Sequence, residues 1–286
     1  MIINPYAFAS VAAGPYLDQL GVLPRSAHGL RKLISTATKC MDVRNRGSGA
    51  TATIGFSGDS INVAQVLAVF SGSDYVDITR LYDQVDQTSA GYHFDQATVA
   101  KQPSIVVSGA FQNKIKFSGS QFMGTANVMP FGTPHWSIYS RKKFDAQATR
   151  VFIEQSLNAS GSNPQAAFLY SAALNRLYPY CQNAAGAHRS GWVDCFNTVV
   201  QHTFRFNRAI VGAGEFVSRQ NGAAQLINGF GGTTEQTGNF NANTVYLGGR
   251  GDGSIGAVMD LDNLAQYDVD TSAYDSLIEA IIGVAP

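Results

Sequence analysis

Short runs in which apolar and polar residues alternate, several of them closed by a glycine-containing turn, recur along nearly the whole chain, and they constrain the fold more than any other feature. Alternation with period two lets a strand bury one face and wet the other. TATIGF (51–56) ends in the turn Ser57-Gly58-Asp59. The same rule describes YVDITRLYD (75–83), SIVVSG (104–109), KIKFSG (114–119), HWSIYSRKKF (135–144), RVFIEQS (150–156), TVVQHTFRFN (198–207), AQLING (224–229), TVYLGG (244–249) and SIGAVMDLDNLAQYDV (254–269). AAFLYSAAL (166–174) reads as a strand or a short helix, and residues 30–46 as a strand pair or a helical turn leading into a strand. Two segments break the rule. SINVAQVLAVF (60–70) has helical spacing with Ser60 as N-cap. YDSLIEAIIG (274–283) predicts a terminal helix, capped by Thr271 or Ser272 and stopped by Gly283. Strands this closely spaced, with so little helix between them, predict an antiparallel sandwich or jelly roll and not βαβ units.

The 286 residues suffice for one large core, and 45% of them are hydrophobic. Twenty basic and twenty acidic side chains leave no net charge, which argues against nucleic acid or a membrane surface as partner. No run of apolar residues is long enough to span a bilayer. The N-terminus lacks the basic and long apolar regions of a signal peptide, so the expectation is synthesis in a cytoplasm without general export. Residues 1–28 carry Pro5, Pro15 and Pro24 together with Tyr6, Phe8, Tyr16, Leu17 and Leu20. They are too apolar for a free tail and too proline-broken for one helix. They read as an arm docking on a neighbour, or as a strap over the chain's own sandwich. The expected division is an arm (1–28) and a single sandwich (29–286).

Several motifs invite a chemical reading beside a plainer one. Cys40, Cys181 and Cys195 are odd in number; Cys181 and Cys195 could pair, or all three could be buried thiols. GRGDGSIG (249–256) has G-x-G-x-x-G spacing, but no helix opens after it, so a glycine-rich hairpin is the reading. Asp260, Asp262 and Asn263 offer oxygens for Ca²⁺ without the EF-hand spacing; a solvated strand face is the alternative. Arg141-Lys142-Lys143 reads as a solvated strand end. Glu154 is the one glutamate on a strand that could face a cleft, as a glycosidase acid must, yet no second acid pairs with it in sequence. The histidines lack ligand spacing, and no cofactor is implied. Tyr92, Trp136, Tyr139 and Trp192 are the aromatics taken as candidates to stack on sugar rings, with core packing as the alternative for each.

Two stretches, 29–70 and 78–109, carry a family likeness. Its marks are Leu30 to Leu33, Val43-Arg44, Ile54 to Phe56, Tyr82-Asp83-Gln84, Gly91 to Ala97 and Gln102-Pro103-Ser104-Ile105. These resemble the opening of a concanavalin A-like (laminin-G-like) jelly roll, of the version found in the catalytic domain of α-L-arabinofuranosidases (arabinofuranosidase B) and in structural proteins of tailed bacteriophages. Residues 245–281 resemble the closing strands and terminal helix of such sandwiches. The resemblance implies an all-β, concanavalin A-like antiparallel β-sandwich with an N-terminal arm and a short C-terminal helix. The nucleophile-bearing stretch of the hydrolase has no match, and 85–90 is inserted. The expectation is therefore a non-enzymatic bacteriophage virion component in tail, baseplate or capsid decoration. It would dock to other virion proteins through its arm and assemble as a trimer or hexamer. A receptor- or glycan-binding tail protein, recognising host surface glycan, is the alternative, and a glycoside hydrolase the third reading.

Overall fold

A computed structural model describes residues 16–70, 75–145, 150–156, 164–171, 176–182, 188–194, 198–210, 215–226, 228–231, 238–251, 253 and 255–286; for 150, 164–171, 176, 178–182, 188–194 and 228–231 only the backbone is described. The architecture is an antiparallel β-sandwich closed by a short C-terminal helix, as the alternation predicts.

Two ladders part at the strand Tyr75–Leu81. On one edge it pairs with Lys39–Asn45, which pairs in turn with Thr51–Ser57. On its other edge the first half pairs with Ser104–Val107 and the end with Phe94–Asp95. One ladder continues from Ser104–Val107 through Ala110–Ser118, Val258–Tyr267, His135–Phe144 and Val200–Asn207 to Phe216–Gln220. The other runs from Phe94–Asp95 through Met123–Thr125, Thr244–Leu247, Arg150–Ser156, Pro164–Ser171 and Arg176–Gln182 to His188–Asp194. The ambiguous 166–174 segment is thus mainly strand. Both ladders contribute to one apolar interior: Trp136, Ile138, Phe204, Phe206 and Leu264 from the first, and Phe94, Met123, Phe152, Ile153 and Leu247 from the second.

A smaller second core lies behind the central strands. The helix Asp275–Ile282 buries Ile278, Ile281 and Ile282 against Tyr139, Ala265 and Tyr267. This explains why nearly all of Val258–Tyr267 is buried: each of its faces is covered. Its pairing with His135–Phe144 slips between Arg141 and Lys142, leaving Asp262 as the extra residue. That bulge reverses the alternation, so Met259 and Leu261 face the main core while Ala265 and Tyr267 face the helix.

Turn chemistry sets the hairpins. Ser108-Gly109 and Asn221-Gly222 have φ of 49°, 78°, 49° and 81° in turn, the doubly left-handed geometry whose twist matches that of the flanking strands. The early helix starts later than its spacing suggests. Ser60 pairs with Ser57 across the Gly58-Asp59 turn and must be extended. Asn62 caps instead, accepting from the Gln65 amide at 3.2 Å, and the helix is Val63–Val69. At the other end, Thr271 precedes a single 3₁₀ turn, Ser272–Tyr274, and makes no side-chain cap. Gly283 does end the terminal helix, but in right-handed geometry with φ −71°, its amide donating to the Glu279 carbonyl at 2.9 Å.

The boundary expected after residue 28 falls inside the body. Ser26–Gly29 is a strand paired with Asn263 to Gln266. Leu17 is fully buried, Leu20 packs on the second core, and the Tyr16 hydroxyl donates to Asp59 at 2.6 Å. Residues 16–28 therefore form a strap, because their apolar side chains find cover on the chain's own sandwich. Pro5, Tyr6 and Phe8 lie outside the described residues. Membrane-spanning helices are absent among the described residues: no helix is long and apolar enough.

Candidate functional site

Glu154 sits on Arg150–Ser156, opposite Tyr246 on one side and Ala167 on the other. It is 1% exposed, so it is a buried acid and does not face an open cleft. Arg250 of the glycine-rich hairpin stands beside it. Gly249 bridges Gly256, the Arg250 amide donates to the Ile255 carbonyl at 3.1 Å, and the Gly253 amide to the Arg250 carbonyl at 2.8 Å. This brings Arg250 Nε to 3.8 Å from Glu154 Oε2. The spacing of the glycines is steric. A Cβ at Gly251 would lie 2.3 Å from the Tyr246 ring, and one at Gly256 2.2 Å from the Gly119 carbonyl oxygen. The hairpin reading of 249–256 is correct, and the phosphate-loop spacing within it serves backbone-to-ring packing.

Among the described side chains, the nominated aromatics Tyr92, Trp136 and Tyr139 do not converge. Trp136 is fully buried; its Nε1 donates to Gln266 Oε1 at 3.2 Å, and its ring lies among Phe131, Phe206 and Phe240. Tyr139 is buried on the opposite face, its hydroxyl 2.5 Å from Asp275 and 2.7 Å from Thr271. Strand alternation separates them, since positions 136 and 139 differ by an odd number of residues. Tyr92 is half-buried under the Arg25 guanidinium, which also donates to its hydroxyl at 3.1 Å. The Trp192 side chain lies outside the described residues, as do the side chains of Cys181 and Cys195; Cys40 is a buried free thiol.

The Ca²⁺ reading fails on pairing. Asp260 is bridged by Lys114 at 3.1 Å and Lys116 at 3.3 Å, and Asp262 is bonded to Arg141. Asn263 donates to the carbonyls of Ile282 and Val284, tying strand to helix. Among the described residues no three His, Cys, Asp or Glu side chains gather as a metal site.

Nor is Arg141-Lys142-Lys143 simply a solvated end, because alternation turns Lys142 inward. Its Nζ donates to Ser140 Oγ at 2.6 Å, lies 3.2 Å from His202 Nδ1, and stands 4.3 Å from the centre of the Phe152 ring. Burial, reinforced by Lys142, pushes His202 well below the ordinary imidazole range. A neutral ring fits both contacts: Nδ1 accepts from the ammonium, and Nε2–H donates to Gln220 Oε1 at 3.1 Å.

The residues carrying the family likeness are braces. The Tyr82 hydroxyl donates to Asp42 at 3.0 Å. Asp83 accepts from the amides of Ala27, Val85 and Tyr92. Gln84 accepts from the Leu33 amide and donates to the carbonyls of Gly29 and Arg31. Gly91 leaves no room for a Cβ, which would lie 1.9 Å from the Asp86 carbonyl oxygen.

With this geometry established, the chain can be set beside known proteins. No protein-family model matches it, and no curated protein matches it. Solved structures do. A crystal structure of an arabinofuranosidase complexed with arabinofuranosyl-α-1,2-xylobiose superposes with a TM-score of 0.63 over 92% of this chain at 14% identity. A GH54 α-L-arabinofuranosidase soaked with a cyclic sulfate inhibitor gives 0.63 over 92% at 13% identity. The chain spans 63% of the length of each. It has the arabinofuranosidase β-sandwich fold. The expectation of a bacteriophage virion component is overturned by these superpositions, which match the chain to the architecture of a carbohydrate-active protein.

Proposed function

We propose that the chain is a carbohydrate-recognising sandwich directed at furanoside-bearing glycans. The observation carrying this reading is the superposition on arabinofuranosidases over 92% of the chain. A second reading, hydrolysis, is favoured by Glu154. A carboxyl withdrawn from water with a guanidinium at 3.8 Å is the kind of group that glycoside cleavage employs as acid or nucleophile. Because it is buried, turnover would require side chains over it, such as Arg250, to move aside. Two measurements on the full chain test both readings: calorimetric titration with arabinotriose, and release of nitrophenol from 4-nitrophenyl α-L-arabinofuranoside. Binding without release supports recognition alone. Release that falls at least about a hundredfold in Glu154→Gln supports hydrolysis through that acid. Neither binding nor release removes both.

A further inference from the structure

His93 closes the loop 83–93 from within. Its Nδ1 accepts from the Asp83 amide at 3.0 Å, and its Nε2 lies 2.7 Å from the Thr88 carbonyl oxygen. An amide N–H can only donate and a carbonyl can only accept, so the ring is neutral, with its proton on Nε2. The ring has little room to turn away. It is 2% exposed, it meets the Tyr82 ring at 5.0 Å, and a Cβ at Gly91 would lie 2.7 Å from its Cε1. The loop that it closes holds the strap. Asp83 Oδ1 accepts from the Ala27 amide at 3.1 Å, the Gln84 amide donates to the Ala27 carbonyl at 2.7 Å, and Arg25 donates to the Tyr92 hydroxyl at 3.1 Å.

A second proton would go to Nδ1 and point at the Asp83 N–H, donor against donor, so the ring cannot be charged while that bond is kept. We propose that His93 is the pin of an acid-released clasp, whose protonation opens the 83–93 loop and loosens its hold on the strap at 25–28. The surroundings act in the same sense. Burial lowers the pKa of the ring and Arg80 adds to this, while the Thr88 carbonyl, Asp95 and Asp86 oppose it. The Tyr82 ring, His28 from the strap and Asp83 at the base of the loop complete the titratable groups around it. A closed loop that lowers an imidazole pKa is favoured above about 6.5 and loses that advantage on acidification. Asp83 works with the opposite sign, because burial raises its carboxyl to about 6. The clasp is independent of the glycan reading.

The test is amide hydrogen exchange of the full chain, wild type against His93→Asn and His93→Gln, from about pH 7.5 to about pH 5. Either amide side chain offers an oxygen as acceptor but takes up no proton. Asp83 is present in every chain, so the ratio of wild-type to variant exchange isolates His93, and the intrinsic pH dependence of exchange cancels in it. As pH falls, exchange in 83–93 and 25–28 of the wild type should rise relative to the variants, by up to about tenfold per pH unit. The distant strand Val200–Asn207 should keep a constant ratio. Ring nitrogen NMR of the wild type near neutral pH needs no variant and should report a neutral His93 protonated on Nε2. A ratio that stays constant in the loop overturns the clasp. So does a change of equal size in Val200–Asn207, which would be opening of the whole sandwich, and so does a ring protonated on Nδ1 near neutral pH.

Discussion

Replacing Asp83 by Asn separates two effects that a buried carboxylate combines. Asp83 is fully buried. Its Oδ1 accepts from the amides of Ala27 at 3.1 Å and Val85 at 3.0 Å, and its Oδ2 from the amide of Tyr92 at 3.2 Å. Asn keeps the shape and the first two bonds but presents an NH₂ to the Tyr92 N–H, donor against donor. Leaving that amide unpaired costs about 1–3 kcal/mol at any pH. The second effect depends on pH. Burial raises the Asp83 carboxyl from the ordinary 3.8 to about 6, against the pull of the three backbone bonds and with a small addition from Asp86. Between those values the folded chain holds a proton that the unfolded chain has lost. The contribution of this group to stability is therefore fully present below 3.8 and disappears as pH rises through about 6. At 1.36 kcal/mol per pH unit the gap is worth about 3 kcal/mol. Asn cannot titrate, so the destabilisation caused by Asp83→Asn should be greater at pH 4 than at pH 7 by roughly 2–3 kcal/mol. Urea unfolding followed by tryptophan fluorescence, both proteins at both pH values, measures it. The raw pH profile of the wild type does not. His28 is pushed down to about 3 by burial and the neighbouring His93, and His202 is also lowered by burial. Folded imidazoles with lowered pKa contribute stability that is present above about 6.5 and lost on acidification, the opposite sign. A difference between the two proteins that is equal at pH 4 and pH 7 refutes the assignment of the raised carboxyl to Asp83.

Other outcomes follow from the packing. Trp136→Ala removes the largest ring of the main core from between Phe131, Phe206 and Phe240 and should cost about 3–5 kcal/mol in denaturant unfolding; a loss under 1 kcal/mol would place that ring outside the core. Gly251→Ala drives a methyl group into the Tyr246 ring. It should lower Tm by several degrees and disturb the 249–256 hairpin, whereas an unchanged melt would show that the hairpin does not pack there. Lys142→Met deletes a buried ammonium while keeping its stem among Phe144, Phe152 and Phe204. Removing that cation relieves the repulsion that helps hold His202 neutral, so the His202 pKa, followed by NMR of its ring protons, should rise; no movement would mean that burial alone sets it.

The strands were legible because alternation is a local property, and each run needs only its own residues to declare which face is wet. What sequence could not show is what covers the other face. Val258–Tyr267 carries Asp260, Asp262 and Asn263 on what reads as a solvated edge. The terminal helix, the strap at 16–28 and the lysines of Ala110–Ser118 turn that edge into interior and salt bridge. Lys142 was missed for the opposite reason, since a run of three basic residues hides the alternation that sends its middle member inward. Tyr82-Asp83-Gln84 and Gly91, which carry the resemblance, are braces of the sandwich whose geometry leaves little room for change. Bracing residues of this kind bear on the fold and are silent about function. Function in this chain therefore has to be read from which side chains the fold brings together, and not from the motifs that declare its strands and turns.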